Sequence, residues 1–277
     1  MNSHRPIRSD CRAGAVAGRT RKRPSVRIVV VGGTGQVGSR LVKVLNADGH
    51  EAVAAAPSTG VDSLTGEGLA AALASASAVV DVSNSRSGDD DAAMEFFRRS
   101  TTHLLEAEAD AGVGHHVVLS MVGTERLAPQ SGYSRAKSTQ EQLAAAGPIP
   151  YTIVRATQFF EFLRTIADSA TVDATVRLPA VLIRPMAAVD VAHALAAATL
   201  GEPRNGIVEV GGPREFLLPE LIRTGLTARG DARQVIVDPA ATYLGLAVEE
   251  RTLLPSEGAV AYDVRFEDWI IETAAKG

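Results

Sequence analysis

The sequence of 277 residues is poor in cysteine, aromatic residues and lysine. Its single cysteine, Cys11, excludes a disulfide framework and a cysteine-based metal site, so we expect a reducing, cytoplasmic location. Aromatic residues make up 4% of the chain. Aliphatic residues and alanine fill most apolar positions, which is typical of soluble α/β proteins. No apolar run reaches the length of a transmembrane helix, so no membrane association is expected.

Acidic residues are nearly absent from the first 27 positions. Eight arginines and lysines stand there against Asp10 alone, a charge of about +7, whereas the whole chain carries −4. The segment has no aromatic residue and no helical period, which predicts a disordered basic leader over residues 1–25. Contact of this leader with nucleic acid or an acidic partner is the alternative, and we expect no nucleic-acid binding.

A glycine-rich turn between a strand and a helix is the strongest signal in the chain. The β-branched run 28–31 predicts a buried parallel strand, and apolar residues recur at helical spacing from 37 to 45. Gly32, Gly35 and Gly38 lie between them. Small residues there let a pyrophosphate approach the free N–H groups of a helix N-terminus. The turn therefore predicts dinucleotide binding, and an ordinary tight turn is the alternative.

Strand-like and helix-like segments alternate after this turn. Strands are predicted at 51–56, 78–82, 117–119, 151–155 and 207–210, and helices at 66–75, 92–111, 133–146, 158–167, 191–200, 219–229 and 266–275. This rhythm predicts an α/β fold with a doubly wound parallel sheet of the Rossmann type. We divide the chain into the leader, an NAD(P)-binding core at 26–156, and a substrate lobe at 157–277 interleaved with late core strands. Asp190 is predicted to cap the helix at 191–200.

Tyr133, Lys137 and Ser120 form a candidate catalytic set. Tyr133 and Lys137 are four residues apart on a predicted helix, so their side chains share one face. A nearby ammonium lowers the pKa of a phenol and makes it a better acid or base near neutral pH. Ser120 follows a predicted strand, where open α/β sheets bind ligands, and could orient a carbonyl. The alternative is a Tyr–Lys pair that only packs a helix end.

Five segments together resemble a known superfamily. They are VVVGGTGQVGSRLVKVL, AVVDVSN, HHVVLSMVG, YSRAK and YTIVRATQFFEFL, in this order. The series resembles the short-chain dehydrogenases/reductases, and within them the atypical, NmrA-like NAD(P)-binding branch. The resemblance runs from about Val26 to Leu200. One departure is Arg155-Ala156, where the family usually has Arg-Pro.

The resemblance implies a role for each matching position. Pyrophosphate would lie on the loop formed by Gly32, Thr34, Gly35, Gln36, Val37 and Gly38. The adenine would meet Asp62, the cofactor ribose would meet Val82, Ser83 and Asn84, and the nicotinamide carboxamide would meet Thr157, Gln158 and Phe159. Ser120, Tyr133 and Lys137 match the catalytic Ser-Tyr-Lys set. Many NmrA-like proteins lack the tyrosine and act as redox sensors.

The end of the second strand bears on the choice of cofactor. NAD-specific sites usually have an acid there that binds both ribose hydroxyls, but this chain has Ser58 and Thr59. Two hydroxyls and no carboxylate favour NADP(H), with NAD(H) as the alternative. No arginine stands there for a 2′-phosphate, and a turn formed by Ser58, Thr59 and Gly60 explains the same residues.

Several other residues admit a functional interpretation. Phe159, Phe160 and Phe162 could line an apolar substrate pocket or belong to the core. His115 and His116 have no partners at metal-ligand spacing, so no metal site is predicted. Asp89 to Asp91 are predicted to begin the helix at 92–111, where their charge suits the helix dipole.

Three functions remain open from the sequence. The first is an NADP(H)-dependent oxidoreductase that acts on a small carbonyl or quinone-like compound. The second is a non-catalytic dinucleotide sensor that controls a partner. The third is an epimerase or dehydratase with tightly held NAD, which we rank last because the acid after the second strand is missing and the C-terminal half is short. The sequence does not predict an oligomeric state.

Overall fold

The computed structural model describes residues 24–85 and 87–274, and its centre is a sheet of seven parallel strands. In spatial order these are β12 (Val260–Ala261), β9 (Gly206–Gly211), β5 (Tyr151–Ala156), β4 (His116–Met121), β3 (Ala78–Asp81), β1 (Arg27–Val31) and β2 (Glu51–Ala55). The order reverses at β1, which has β2 on one side and β3 on the other. Ligands of doubly wound sheets bind at such a switch point. The predicted doubly wound α/β fold is confirmed.

Helices cover both faces of this sheet. On one face α1 (Gln36–Ala47) packs against α7 (Ala188–Leu200), and on the other α3 (Asp90–Ala111) packs against α5 (Gly132–Ala146). Two short helices, α2 (Leu69–Leu73) and α4 (Thr124–Leu127), complete this part. As predicted, Asp89 to Asp91 lie at the start of α3, and the carboxylate of Asp89 caps the helix by accepting from Ala92 N at 2.9 Å.

The later part of the chain has a core of its own. Its elements are α6 (Leu163–Ser169), β6 (Thr171–Val172), β7 (Thr175–Leu178), β8 (Leu182–Ile183), β10 (Phe216–Leu217), α8 (Leu218–Ala228), β11 (Gln234–Val237) and α9 (Phe266–Ala274). The strands form a three-stranded sheet, β11-β7-β6, and an antiparallel pair, β10-β8. Phe160, Phe266 and Trp269 are buried together at the centre of this core.

Two predicted helices are shorter in the structure. The helix predicted at 66–75 is only α2, because Gly66 and Gly68 have φ of +82° and +75°, outside the helical region. The helix predicted at 158–167 begins at Leu163 after a single 3-10 turn. Backbone hydrogen bonds from Met186 N to Gln158 O and from Phe160 N to Met186 O keep residues 158 and 159 out of the helix.

The predicted role of Asp190 is wrong. Helix α7 already begins at Ala188, and Asp190 lies in its first turn. Its carboxylate accepts a hydrogen bond from Val264 N at 3.0 Å, whereas Glu161 accepts from Ala188 N at 3.1 Å. The helix start is therefore capped by a side chain from a distant segment, which local sequence patterns do not predict.

The predicted leader lies outside the described residues except for residues 24 and 25, and so does Cys11. Among the described helices, none is long and apolar enough to cross a membrane.

Candidate functional site

The glycine loop joins β1 to α1 at the switch point of the sheet. Gly32 has φ +77°, and a Cβ on it would lie 2.8 Å from Ser83 N. A Cβ on Gly38 would lie 2.3 Å from Gly32 O. Both distances are shorter than real Cβ contacts, so these glycines are needed for the close approach of the loop to α1 and to the end of β3.

The N-terminus of α1 is open. Its N-cap residue is Gly35, which provides no side-chain cap, and no acidic residue lies in the first turn. Thr34, Gly35 and Gln36 are exposed, whereas the side chain of Val37 is buried in the core and can offer only its backbone. Free N–H groups and the helix dipole make this end suited to an anion.

Ser83 is the second part of this cradle. Its backbone N–H donates to Asp81 Oδ1 at 2.9 Å, and its hydroxyl oxygen is buried without a hydrogen-bond partner in the described part of the chain. A buried hydroxyl without a partner is costly, and a ligand on the glycine loop would provide one. Val82 packs into the core beside it. The loop, the open helix end and Ser83 together fit a dinucleotide.

Two of the residues predicted to meet the adenosine end of the cofactor already accept hydrogen bonds from the backbone nearby. Thr59 Oγ1 accepts from Ala56 N at 2.9 Å, and Asp62 Oδ1 accepts from Leu64 N at 2.8 Å. Each side chain therefore stabilises its own turn. Ser58 is exposed next to Thr59, and it is the hydroxyl that remains available there.

Tyr133 lies close to the predicted ribose segment. Its hydroxyl donates to Asn84 Oδ1 at 3.0 Å, and its ring meets Phe97 edge-on with 5.8 Å between the ring centroids. Burial raises the pKa of Tyr133 to about 12, and the hydrogen bond with Asn84 only partly opposes the shift. The phenol therefore stays protonated at neutral pH. The expectation that Lys137 lowers the pKa of Tyr133 is wrong for this arrangement.

Lys137 faces inward instead. It is 4% exposed, and its ammonium donates to Leu119 O at 2.7 Å and to Gln140 Oε1. It also lies 4.7 Å from the centroid of the Phe97 ring. Burial lowers the pKa of Lys137 to about 8, although Asp81 and Glu141 oppose the shift. Phe97 thus contacts both predicted catalytic side chains, and the ammonium is hydrogen-bonded away from the phenol.

Ser120 is part of β4 rather than of the turn after it. It is buried, and its hydroxyl lies 3.4 Å from Thr124 Oγ1, which donates to Met121 O at 2.6 Å. The structure therefore brings Tyr133 to Asn84, but it gives Ser120 and Lys137 hydrogen-bond partners other than Tyr133.

The residues predicted to contact the substrate or the nicotinamide lie in different environments. Phe160 is 1% exposed and lies in the C-terminal core, so its assignment to a pocket is wrong. Phe159 is half-buried and forms a backbone bridge with Met186. Gln158 lies beside the buried phenol of Tyr243, and burial raises the pKa of that phenol. The hydroxyl of Thr157 donates to Arg184 O at 2.7 Å.

Buried polar residues on the α3/α5 face were not predicted. Gln140 Nε2 donates to Asp81 Oδ2 at 2.8 Å, beside Lys137. Arg155 donates to both oxygens of Glu141, at 2.9 and 2.5 Å. One signal in the sequence could have predicted these contacts. Asp81 stands inside the apolar run AVVDV, and a buried carboxylate needs a partner.

His116 and Glu108 form another buried pair on this face, with 2.8 Å between Nδ1 and Oε1. Among the described residues, no group of three or more His, Cys, Asp or Glu is arranged to hold a metal ion.

Comparisons with known proteins agree with this geometry. Residues 28–160, just under half of the chain, match the model of the NAD dependent epimerase/dehydratase family. No curated protein matches the sequence.

Three solved structures illustrate the likeness in fold. The NAD-dependent NDP-hexosamine 5,6-dehydratase TunA has TM-score 0.67 and 18% identity, over 91% of this chain and 97% of that one. WbmG from Bordetella bronchiseptica, in complex with NAD, has TM-score 0.68 and 18% identity, over 92% and 95%. The dTDP-glucose 4,6-dehydratase DesIV from Streptomyces venezuelae, with NAD bound, has TM-score 0.66 and 20% identity, over 90% and 96%. The chain has the Rossmann-type α/β fold of these enzymes.

Proposed function

We propose that this chain is a nicotinamide-dinucleotide-dependent enzyme of the epimerase/dehydratase type. One observation carries the proposal: the Tyr133 hydroxyl lies 3.0 Å from Oδ1 of Asn84, and Asn84 follows Ser83, whose hydroxyl is buried and whose backbone approaches Gly32 of the glycine loop. A proton-transferring group thus adjoins a cradle for a dinucleotide. The bound cofactor would supply a hydride acceptor and donor.

The chain's own residues have distinct tasks in this proposal. The N-terminus of α1 holds the pyrophosphate through backbone N–H groups, and Ser83 binds the adjoining ribose. Tyr133 exchanges a proton with the substrate oxygen at the carbon that loses or gains hydride. The phenol is protonated at neutral pH and therefore carries the proton that it would donate to the substrate oxygen.

The comparisons favour this reaction type over the small-carbonyl reductase that we ranked first from the sequence. The family model is that of epimerases and dehydratases, and the printed names of several similar structures describe enzymes of nucleotide sugars. The shortness of the C-terminal half is no objection, since the chain covers 97% of the dehydratase TunA. A nucleotide sugar is therefore the proposed substrate class.

The end of β2 bears on the choice between NADP(H) and NAD(H). No carboxylate follows this strand within residues 56–60, and Ser58 is exposed there, which supports NADP(H). The similar structures named above with a bound cofactor hold NAD. NADP(H) thus remains our own proposal, with NAD(H) as the alternative to be compared in every binding experiment.

Turnover of nucleotide sugars by the Tyr133→Phe variant tests the proposal. The full chain is incubated with NAD or NADP and a panel of UDP- and dTDP-hexoses, and products are identified by NMR. We expect turnover to fall by about 10²-fold or more, as for loss of a general acid–base group, with dinucleotide affinity unchanged. Tyr151→Phe, at the first residue of β5, is the matched control. Equal turnover of Tyr133→Phe and the parent would remove Tyr133 from the reaction.

A second function is favoured by the position of Lys137. Its ammonium is hydrogen-bonded to Leu119 and Gln140 and does not lower the pKa of Tyr133, so only the hydrogen bond with Asn84 opposes the rise that burial causes. This suits a dinucleotide sensor of the NmrA-like type without catalysis. For such a sensor we expect dinucleotide binding but no product from any hexose, aldehyde or quinone in the panel. The parent and Tyr133→Phe should then bind the dinucleotide equally and both lack turnover.

A further inference from the structure

The Lys137 ammonium has partners other than Tyr133. It carries three N–H donors. Leu119 O and Gln140 Oε1 accept two of them, and the face of the Phe97 ring lies 4.7 Å away. Tyr133 is on the same helix face but receives none of these donors. The groups around the ammonium therefore determine the direction of the Lys137 side chain.

The side-chain amide of Gln140 is suited to hold the ammonium in this direction. Its amide donates from Nε2 to Asp81 Oδ2 at 2.8 Å and accepts at Oε1 from the ammonium. A side-chain amide offers a donor to an anion and an acceptor to a cation at the same time. A carboxylate at this position would repel Asp81, and an aliphatic side chain would leave both charged groups without this partner.

Asp81 connects this arrangement to the dinucleotide cradle. It is 1% exposed, and its second oxygen accepts from Ser83 N at 2.9 Å. One buried carboxylate therefore orients both the Gln140 amide and the segment that faces Gly32. The chain of contacts runs from the cradle through Asp81 and Gln140 to the lysine.

We propose that Gln140 and Asp81 are positioning residues for Lys137. Asp81 orients the Gln140 amide, and the amide holds the ammonium at Leu119 O and under Phe97, withdrawn from Tyr133. This inference rests on the proposed function, because it specifies how the reactive side of the same site is arranged. It also gives a reason for a buried glutamine three residues after the lysine.

The groups that face the ammonium come from four elements. Strand β3 provides Asp81, α5 provides Gln140 and Glu141, β4 provides the carbonyl of Leu119, and α3 provides the ring of Phe97. Glu141 is already paired with Arg155. Asp81 is thus the carboxylate that acts on the lysine through a hydrogen-bonded partner.

NMR of the full chain labelled at the lysine ε-carbon tests the proposal without any dinucleotide. The chain has only four lysines, Lys22, Lys43, Lys137 and Lys276, so four ε-methylene signals are expected. The Lys137 signal should lie upfield of the others because of the Phe97 ring current, and Phe97→Leu calibrates this displacement. Lys137→Met assigns the signal.

The decisive variants are Gln140→Leu and Asp81→Asn, with Gln142→Leu as control on the exposed side of α5. We expect Gln140→Leu to lose the upfield displacement, Asp81→Asn to lose part of it, and Gln142→Leu to keep it. An unchanged Lys137 signal in Gln140→Leu would overturn the proposal. If Gln140→Leu does not fold, an unchanged signal in Asp81→Asn overturns it equally. A parent that binds no dinucleotide yet shows the expected losses would refute the proposed function alone.

Discussion

The two faces of the central sheet are stabilised in different ways. Under α1 and α7 the core consists of aliphatic side chains, such as Ile28, Val30 and Leu41, all completely buried. Under α3 and α5 the interior contains charged pairs, among them Arg155 with Glu141 and His116 with Glu108. The first face supports the glycine loop and the second supports Tyr133 and Lys137. Close apolar packing thus supports the binding side of the site, which is the glycine loop. Buried polar contacts support its reactive side, which is Tyr133 and Lys137.

Breaking the Arg155–Glu141 pair should have the largest effect on stability. The two side chains are only 6% and 7% exposed, so Arg155→Met would leave Glu141 buried without its partner. We expect a loss of about 3–5 kcal/mol in the free energy of unfolding, measured with urea. Arg98→Met, which breaks an exposed pair with Glu95, should change little. Similar effects of the two variants would contradict the contrast between the faces.

Overpacking the apolar face should cost less stability but should abolish binding. In Gly38→Ala the new Cβ would lie 2.3 Å from Gly32 O, so the loop must shift away from α1. We expect a loss of about 1–3 kcal/mol and no measurable dinucleotide binding by calorimetry. Gly258→Ala is the control, because its Cβ would enter open space. Normal binding by Gly38→Ala would show that close approach at this glycine is unnecessary.

The polar face should also give stability a pH dependence. Burial acts to lower the pKa of His116, but Glu108 outweighs it, so the pKa is raised in the folded state. The unfolded histidine titrates near ~6.5. The pair therefore stabilises the fold fully below that pH, and the contribution is lost as the pH rises through the folded pKa.

Over that range the free energy of unfolding should fall by up to about 1.4 kcal/mol per pH unit. Urea titrations between pH 6 and pH 7 would measure it, below the pH of about 8 at which Lys137 titrates. His116→Gln removes the titrating group and should remove the slope. A slope of the same size in His116→Gln would assign the effect to other residues.

The smallest effect is expected at the exposed Ser58. If its hydroxyl meets a 2′-phosphate, Ser58→Ala should weaken NADP binding by about tenfold, as for loss of one hydrogen bond to a charged group, and leave NAD binding unchanged. Thr59→Ala is a matched comparison, because Thr59 Oγ1 is engaged in its own turn. Equal affinities of the parent and Ser58→Ala for NADP would argue for NAD as the natural cofactor.

The same contrast explains what the sequence could predict. The apolar face was predictable because its signals are local: a β-branched run, glycines at fixed spacing and a helical period. Its strand, turn and helix lie where predicted. The short strands β6, β7 and β11 gave no such signal: β6 has only two residues and pairs with β7 as a short hairpin, and β11 depends on pairing with the distant β7.

The reactive side was predictable in composition but not in geometry. Helical spacing places Tyr133 and Lys137 on one face, but it does not show that Gln140 and Leu119 compete for the ammonium. Likewise, Phe160 and Phe159 are neighbours in sequence, and only tertiary packing makes Phe160 a core residue. Assignment to the NmrA-like branch stays a prediction.

Calorimetric titration of the full chain with NAD, NADH, NADP and NADPH tests the central claim most directly. The account predicts saturable one-to-one binding of at least one of these dinucleotides, tighter for the NADP pair, and its loss in Gly38→Ala but not in Gly258→Ala. No binding of any of the four would contradict the assignment of the glycine loop and Ser83 as a dinucleotide cradle, and with it the proposed function.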